Sequence, residues 1–207
     1  MDYITLEKEA NAEYIVQKSR FIGYASPVET AEDAAAFVEK IRAMHREARH
    51  NVFAYTVRSP AYSRFSDDGE PQGTAGKPVL EVIRKTGLEN CCVVVTRYFG
   101  GILLGTGGLV RAYSHAAKLA VEAAVPVLMK RCRVLRAQTD YTFYSGLLSL
   151  VPASGGVIED TEFADKITLT LRLPEENVPA FQKALTELTQ GKVSAESAGE
   201  KFDRFPF

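Results

Sequence analysis

Alternating apolar and polar residues near the start of the chain predict a β-hairpin. Two such stretches, residues 13–19 and 20–28, are separated by no more than a tight connection, as in a hairpin. Apolar residues then recur at three- and four-residue intervals through residues 31–48, which predicts an amphipathic helix. Thr30 precedes this helix and is placed to accept a hydrogen bond from the backbone N–H of Asp33, so we expect it to cap the helix.

Further strands, helices and loops are predicted across the rest of the first half. The run from 90 to 99 is almost wholly apolar, which is typical of a central strand buried on both faces. A segment rich in Gly, Asp and Pro at 64–78 predicts an ordered loop. The other predicted elements are a strand at 51–57, a helix at 75–86, a glycine-rich loop at 100–108 and a helix at 109–124.

The second half follows a different order of elements. A strand at 133–141 and a helix at 143–151 come first. The later elements are a hairpin of residues 157–163 and 166–173, a helix at 175–189 and a last strand at 192–197. The order βαββαβ is that of a ferredoxin-like sandwich. We therefore predict an α+β protein of two domains, at residues 1–131 and 132–207.

Composition narrows the class of protein. The chain has 207 residues, 46% of them hydrophobic, and a net charge of −1, so it is globular and is not an overall electrostatic attractant for nucleic acid. It contains no apolar run near the length of a membrane span, and its acidic, polar start is unlike a signal peptide, so we expect a cytoplasmic protein. Cys91, Cys92 and Cys132 have neither disulfide nor zinc-site spacing, which predicts reduced thiols.

A glycine-rich loop is the first candidate site. Gly105, Thr106, Gly107 and Gly108 stand between the predicted buried strand and a helix. Backbone N–H groups left free at a helix N-terminus favour anions. Arg97 precedes the loop and Arg111 follows it, so one hypothesis is a pocket for a phosphate, a carboxylate or an acidic side chain. The alternative is that the glycines serve tight packing and positive φ angles.

Nucleotide motifs are incomplete in this region. Gly76-Lys77 is followed by Pro78, which lacks the hydroxyl that a P-loop uses to hold Mg²⁺. A dinucleotide fingerprint that starts at Gly105 would need Gly or Ala where Val110 stands. A small-molecule kinase therefore remains an alternative on fold-level analogy alone.

An acidic loop is the second candidate. Asp67, Asp68 and Glu70 are close enough in sequence to bind Mg²⁺ or Ca²⁺, but they do not fit a calcium loop. The alternatives are a turn with solvated acids, or internal ion pairs with Lys77 or Arg64. We predict no bound metal and no cofactor.

Arginines interleaved with aromatic residues are typical both of single-stranded RNA binding and of protein–protein hot spots. His50, at a predicted helix-to-strand junction, is interpreted either as a structural residue or as part of a partner surface. The candidate partner- or anion-binding residues are Arg20, Arg49, His50, Lys77, Arg97, Tyr98, Gly100, Gly101, Gly105, Thr106, Gly107, Gly108 and Arg111.

Specific motifs resemble the YigZ/IMPACT family in its bacterial, two-domain form. They are SRF at 19–21, ARHNVFAY at 48–55, SDDGEPQGTAGKP at 66–78 and VVVTRYFGGILLGTGGLVRAY at 93–113. The resemblance implies a first domain like the second domain of a small-subunit ribosomal protein. It implies a second domain like the last domain of elongation factor G.

The family's eukaryotic members regulate the translational stress response by binding a large activator protein, and its bacterial members lack an established biochemical activity. The resemblance therefore implies a non-catalytic regulator or binding module that meets a protein of the translation machinery or the ribosome. The alternatives are an RNA- or ribosome-binding protein, and an enzyme such as a hydrolase or small-molecule kinase. No membrane partner is expected.

Overall fold

A computed structural model describes residues 2–205. The described chain divides into two compact units, residues 3–128 and Asp2 with residues 129–205. Each unit contains an antiparallel sheet and helices, so the α+β class in two parts is confirmed. No helix within residues 2–205 is both long and apolar enough to cross a membrane.

The first unit contains three helices and the strands between and around them. They are β1 (Tyr3–Leu6), β2 (Ala10–Val16), β3 (Ser19–Pro27), α1 (Ala31–Met44), β4 (His50–Arg58), β5 (Ala61–Ser66), α2 (Gly76–Thr86), β6 (Cys91–Tyr98), α3 (Gly105–Ala123) and the start of β7 (Pro126–Thr139).

The sheet of the first unit has the order β2-β3-β6-β4-β5. Strand β6 lies at its centre, and every residue from Cys91 to Arg97 is buried, which confirms the predicted central strand. Alternate side chains of β6 face opposite ways. Val93 and Val95 join the core formed with α2 and α3, whereas Cys92 and Val94 join the core formed with α1.

Helix α1 begins as the sequence predicts. The Thr30 hydroxyl accepts from the backbone N–H of Asp33 at 3.0 Å, and the Asp33 carboxylate accepts from the backbone N–H of Thr30 at 3.0 Å. This is a reciprocal capping box, which satisfies two N–H groups that the helix itself cannot bond. These hydrogen bonds lower the pKa of Asp33.

Several boundaries in the first unit differ from prediction, and α1 ends at Met44 where the sequence predicted a helix to residue 48. The hairpin turns at Gln17 and Lys18, both at positive φ, whereas the sequence predicted the connection after Ser19. The turn was misplaced because it lacks the usual Asn-Gly signal. Part of the predicted loop at 64–78 is strand β5, an exposed edge strand without an apolar run. Helix α3 begins at Gly105, four residues earlier than predicted. The sequence did not indicate this first turn, because it is rich in glycine, which is a poor helix former.

The second unit contains most of β7 and six further elements. They are α4 (Tyr141–Ala153), β8 (Val157–Phe163), β9 (Ile167–Pro174), a 3-10 turn (Glu175–Asn177), α5 (Val178–Thr189) and β10 (Ala195–Phe205). Strand β9 lies between β7 and β8, and β10 also pairs with β7. The buried core of this unit includes Leu135, Leu169, Leu171, Phe181 and Leu185.

Strand β7 is longer than predicted. It begins at Pro126 and runs without interruption to Thr139, whereas the sequence predicted a strand from 133. The division between the two units falls inside this strand, between Leu128 and Met129. Residues 129–133, which span the predicted domain boundary, are therefore extended strand, and the mixed apolar and charged residues there did not indicate this.

Candidate functional site

The carboxylate of Asp67 closes the N-terminus of α2. It accepts backbone hydrogen bonds from Gly73 at 2.8 Å, Ala75 at 3.1 Å and Gly76 at 2.8 Å. These N–H groups lie at the start of the helix, where the dipole favours negative charge. Asp67 is thus a structural anion supplied by the chain itself.

Asp68 ties three separate segments together. Its Oδ1 accepts from Nη2 of Arg42 at 2.9 Å, and its Oδ2 accepts from the backbone N–H of Asn51 at 2.7 Å. Its backbone carbonyl oxygen lies 2.8 Å from Nδ1 of His50. The loop after β5 is therefore anchored to both α1 and β4.

Glu70 is the most buried of the three acids. Its Oε1 accepts from Nη1 of Arg97 and from the Tyr113 hydroxyl, each at 2.7 Å. Burial, and then the Glu70 charge, raise the pKa of Tyr113, so its hydroxyl stays protonated and donates. The acids of this loop pair internally, as one alternative proposed, but with Arg42, Arg97 and the backbone instead of Lys77 or Arg64. Within residues 2–205 no group of three metal-ligating side chains is found.

Arg97 is held in a nearly closed environment. Only 7% of its side chain is exposed, and its Cζ lies 5.5 Å from the Phe21 ring centroid and 5.4 Å from that of Phe99. Its Nε is buried and has no hydrogen-bond partner in the described part of the chain. Arg97 is thus fixed by Glu70 and two aromatic rings.

A cleft of about 490 Å³ opens beside Arg97; we call it the basic cleft. It is lined by Glu47, Arg49, His50, Arg97, Tyr98, Phe99 and Leu103. His50 and Arg97 are direct cross-strand partners on β4 and β6, so their side chains project from the same face of the sheet. The structure thus brings four of the predicted residues, Arg49, His50, Arg97 and Tyr98, to one place.

His45 is a residue of this region that the sequence did not single out. Its Nε2 lies 2.6 Å from the Tyr24 hydroxyl and its Nδ1 lies 2.8 Å from the Tyr98 hydroxyl. Burial, and then the charge of Arg20, lower the pKa of His45. The three side chains come from α1's C-terminus, β3 and β6, so no local motif signals their association.

An exposed apolar loop, residues 99–104, follows β6. Leu103 is 85% exposed, Phe99 55% and Ile102 43%. The loop leads to the N-terminus of α3, which has no side-chain cap and no acidic residue in its first turn. The helix N-terminus that the anion hypothesis requires is therefore present and uncapped.

The glycines of this segment have different roles. Gly101 and Gly105 adopt left-handed backbone angles, with φ of 84° and 68°. Gly100 packs against the turn of the first hairpin, where an added Cβ would lie 2.0 Å from the backbone carbon of Lys18. Gly107, which with Thr106 and Gly108 lies in the first turn of α3, has open space around it. Both the packing and the positive-φ explanations therefore hold, each for different glycines.

Other predicted residues lie outside the basic cleft. Arg111 is exposed and lines a second depression of about 610 Å³ with residues of β2, α2 and α3, so Arg97 and Arg111 do not share one pocket. Lys77 is exposed in the first turn of α2. Arg20 is exposed, pairs with Glu13 at 2.7 Å and lies over the Tyr98 ring at 6.0 Å.

Comparison with known proteins assigns the chain to a family. The Impact N-terminal domain matches residues 17–121, and a domain of unknown function, DUF1949, matches residues 138–192. IMPACT family member YvyE of Bacillus subtilis is 37% identical over 92% of this chain and 88% of its own length. IMPACT family member YigZ of Escherichia coli is 36% identical over 86% of this chain and 89% of its own length.

A solved structure described as a crystal structure of an hypothetical protein is also similar. It is 32% identical, with a TM-score of 0.61, over 96% of this chain and 98% of that one. The predicted resemblance is confirmed by matches that span both units. The chain belongs to the IMPACT family.

Proposed function

We propose that this chain is a non-catalytic binding module of the translation machinery that acts through the exposed surface of its first unit. The observation that carries the proposal is the apolar loop, with Leu103 85% and Phe99 55% exposed beside an uncapped helix N-terminus. Large apolar side chains gathered at the surface mark an interaction site. The eukaryotic members of the family regulate translation by binding a protein, which supports a partner of that class in the cytoplasm.

Exposed cations of the first unit also contribute to the proposed surface. Arg49 lies at the basic cleft, and Lys77 and Arg111 are exposed on α2 and α3. Thr106 and Gly107 contribute the exposed first turn of α3. These groups favour a partner that presents acidic side chains or phosphates. Arg97, the buried residue of the predicted set, contributes little surface of its own.

The chemistry of the cysteines also supports binding over catalysis. Burial raises the pKa of Cys91 to about 12 and raises that of Cys92, so neither is a thiolate near neutral pH. Both lie in the central strand with no exposed side-chain surface. A cysteine nucleophile, one form of the enzymatic alternative, is therefore disfavoured at these positions.

The fold analogies support the same assignment. The second unit has the element order βαββαβ, with β9 between β7 and β8 and with β10 also paired to β7, which we interpret as ferredoxin-like and similar to the last domain of elongation factor G. We interpret the first unit as similar to the second domain of a small-subunit ribosomal protein.

We propose residues 1–131 and 132–207 as independent domains. The second domain, expressed alone, should therefore unfold cooperatively, and a molten fragment would contradict this proposal.

The test of the function uses a surface variant that leaves the core intact. Leu103→Ser removes an exposed apolar group from the loop, and Leu148→Ser, at a 41% exposed position in the second unit, is the matched control. Both are compared with the wild type for co-sedimentation with purified ribosomes and for capture of proteins from lysate, with and without ribonuclease. We expect Leu103→Ser to lose binding and Leu148→Ser to keep it.

Equal binding by Leu103→Ser and the wild type would contradict the proposed surface. Binding that ribonuclease abolishes would instead favour the RNA-binding alternative. In that case each lost phosphate contact should lower the dependence of log affinity on log salt by roughly 0.7 to 0.9. The difference is measured by titrating the wild type and Arg111→Ala with the captured partner at several salt concentrations.

A further inference from the structure

We propose that the basic cleft binds a small phosphate monoester that carries an aromatic or apolar group. This inference goes beyond the proposed function, because it concerns a small ligand and does not require a macromolecular partner. Its basis is a buried arginine with an unused hydrogen-bonding edge, a histidine beside it and an exposed aromatic ring, all lining one cavity.

The guanidinium of Arg97 has one edge committed and one edge free. Its Nη1 donates to Glu70 at 2.7 Å, whereas Nε is buried without a partner in the described chain. Nε and Nη2 form an edge with two parallel N–H groups that match two oxygens of a carboxylate or phosphate. Elsewhere in this chain the same two nitrogens of Arg133 donate to one carboxylate oxygen, Oε1 of Glu175, at 3.1 Å from Nε and 2.7 Å from Nη2. Arg97 thus retains the hydrogen-bonding capacity for an oxyanion.

His50 adds a second group that faces the same space. Its Nδ1 lies 2.8 Å from the carbonyl oxygen of Asp68, which can only accept, so Nδ1 carries the proton. Nε2 is then an acceptor on the neutral ring and a donor on the protonated ring. A phosphate monoester presents P–OH or P–O⁻ and can therefore bond to either form.

The nitrogen-bearing side chains around the cleft match an anion with three oxygens. Arg49, His50 and Arg97 supply three nitrogen-bearing side chains, and Glu47 is the acidic residue among those lining the cleft. Glu70 lies behind Arg97, and its Oε1 is already bonded to Arg97 and Tyr113. A carboxylate has two oxygens for these groups, whereas a phosphate monoester has three besides its ester oxygen.

The apolar residues that line the cleft indicate what organic group the ligand carries. Phe99 and Leu103 line the cleft and are largely exposed, so an aromatic or apolar group can lie against them. The volume of about 490 Å³ falls among those of small-ligand sites, roughly 300–1,000 Å³. The cleft therefore fits a phosphate on one side and a ring-sized group on the other.

The first experiment compares three probes by titration monitored with ¹H–¹⁵N NMR of the full chain. Phenyl phosphate combines both features, whereas inorganic phosphate and benzoate each lack one. We expect phenyl phosphate to bind tightest and to shift the amide signals of His50 and Arg97. Equal or tighter binding of benzoate would overturn the phosphate class. Failure of phenyl phosphate to shift these signals would overturn the site.

Variants then assign the binding to the cleft. Arg49→Ala should raise the Kd for phenyl phosphate about ten-fold, because a hydrogen bond from a charged group is lost. His50→Asn keeps a donor for the Asp68 carbonyl while removing Nε2, and should also weaken binding. Lys118→Ala, in the second depression, is the control and should bind as the wild type does. Unchanged affinity in both Arg49→Ala and His50→Asn would contradict the proposal.

The outcomes are distinguishable from those of the proposed function. A chain that binds phenyl phosphate but neither ribosomes nor a captured protein would support the ligand site and contradict the partner surface. Loss of partner binding in Leu103→Ser, without any shift on addition of phenyl phosphate to the wild type, would support the partner surface and contradict the ligand site.

Discussion

Glu70 and Arg97 form an ion pair inside the first unit, with 2.7 Å between Oε1 and Nη1 and less than a tenth of either side chain exposed. The pair joins the acidic loop after β5 to the central strand β6. Tyr113 of α3 donates to the same carboxylate oxygen, so three elements meet at one buried charge. The glycine-rich and acidic motifs are therefore parts of one structure.

Removing Arg97 should destabilise the first unit strongly. Arg97→Met leaves Glu70 as an uncompensated buried charge, and breaking such a pair costs about 3–5 kcal/mol. The double variant Arg97→Met, Glu70→Gln should recover part of this loss, because the remaining group is neutral. Urea unfolding of the wild type and the variants measures both effects. A loss below about 1 kcal/mol in Arg97→Met would show that Glu70 finds another partner or water.

Two glycines of the same segment should respond oppositely to alanine. Gly100→Ala places a Cβ against the backbone of Lys18, and overpacking of this kind costs about 1–3 kcal/mol. Gly107→Ala meets nothing within 4 Å inside α3, and should stabilise by about 0.5–1 kcal/mol because alanine is the better helix former. Thermal unfolding of the pair gives the comparison. Equal effects in both variants would argue against the close approach at Gly100.

Asp67 should stabilise the start of α2. Asp67→Ala leaves three backbone N–H groups without their carboxylate, and loss of a helix cap costs about 0.5–2 kcal/mol. Glu81→Ala, which removes an exposed ion pair on the same helix, is the control and should cost at most about 1 kcal/mol. Chemical unfolding should rank Asp67→Ala as the less stable variant. The opposite ranking would refute the capping role.

Lowering the pH should reduce the free energy of unfolding, and His45 should account for part of this loss. Burial lowers the pKa of His45 in the folded chain, so the unfolded chain takes up the proton first as pH falls. The stability that the neutral ring contributes is present above the ordinary histidine pKa, about 6.5, and is lost as pH falls through the lower folded value.

His45→Asn isolates this contribution because His50 and His115 remain in both proteins. Urea unfolding from pH about 8 to about 5 should show a shallower loss of stability in His45→Asn than in the wild type. Parallel pH profiles would indicate that His45 does not contribute to the pH dependence.

Local patterns were sufficient to predict most elements. The unbroken apolar run at 90–99 predicted a strand buried on both faces, because burial on both faces requires apolar residues at consecutive positions. Thr30 lies three residues before Asp33, so its cap on the helix was predicted from the sequence, and the structure adds the reciprocal bond from the Asp33 side chain. Strand β5 and the turn at Gln17 could not be predicted from the sequence. The strand lacks an apolar run, and the turn lacks the Asn-Gly pair that marks a tight hairpin.

The sequence by itself determined most of the elements, the family motifs and the residue types of the candidate site, because these depend on neighbours along the chain. The tertiary structure decided which of those residues meet. The register of β4 against β6 places His50 beside Arg97, and the loop after β5 brings Glu70 under the same strand. Arg111 lies elsewhere because α3 turns its side chain to another depression. Such contacts join residues far apart in sequence, so they follow from strand pairing and helix packing and not from local spacing.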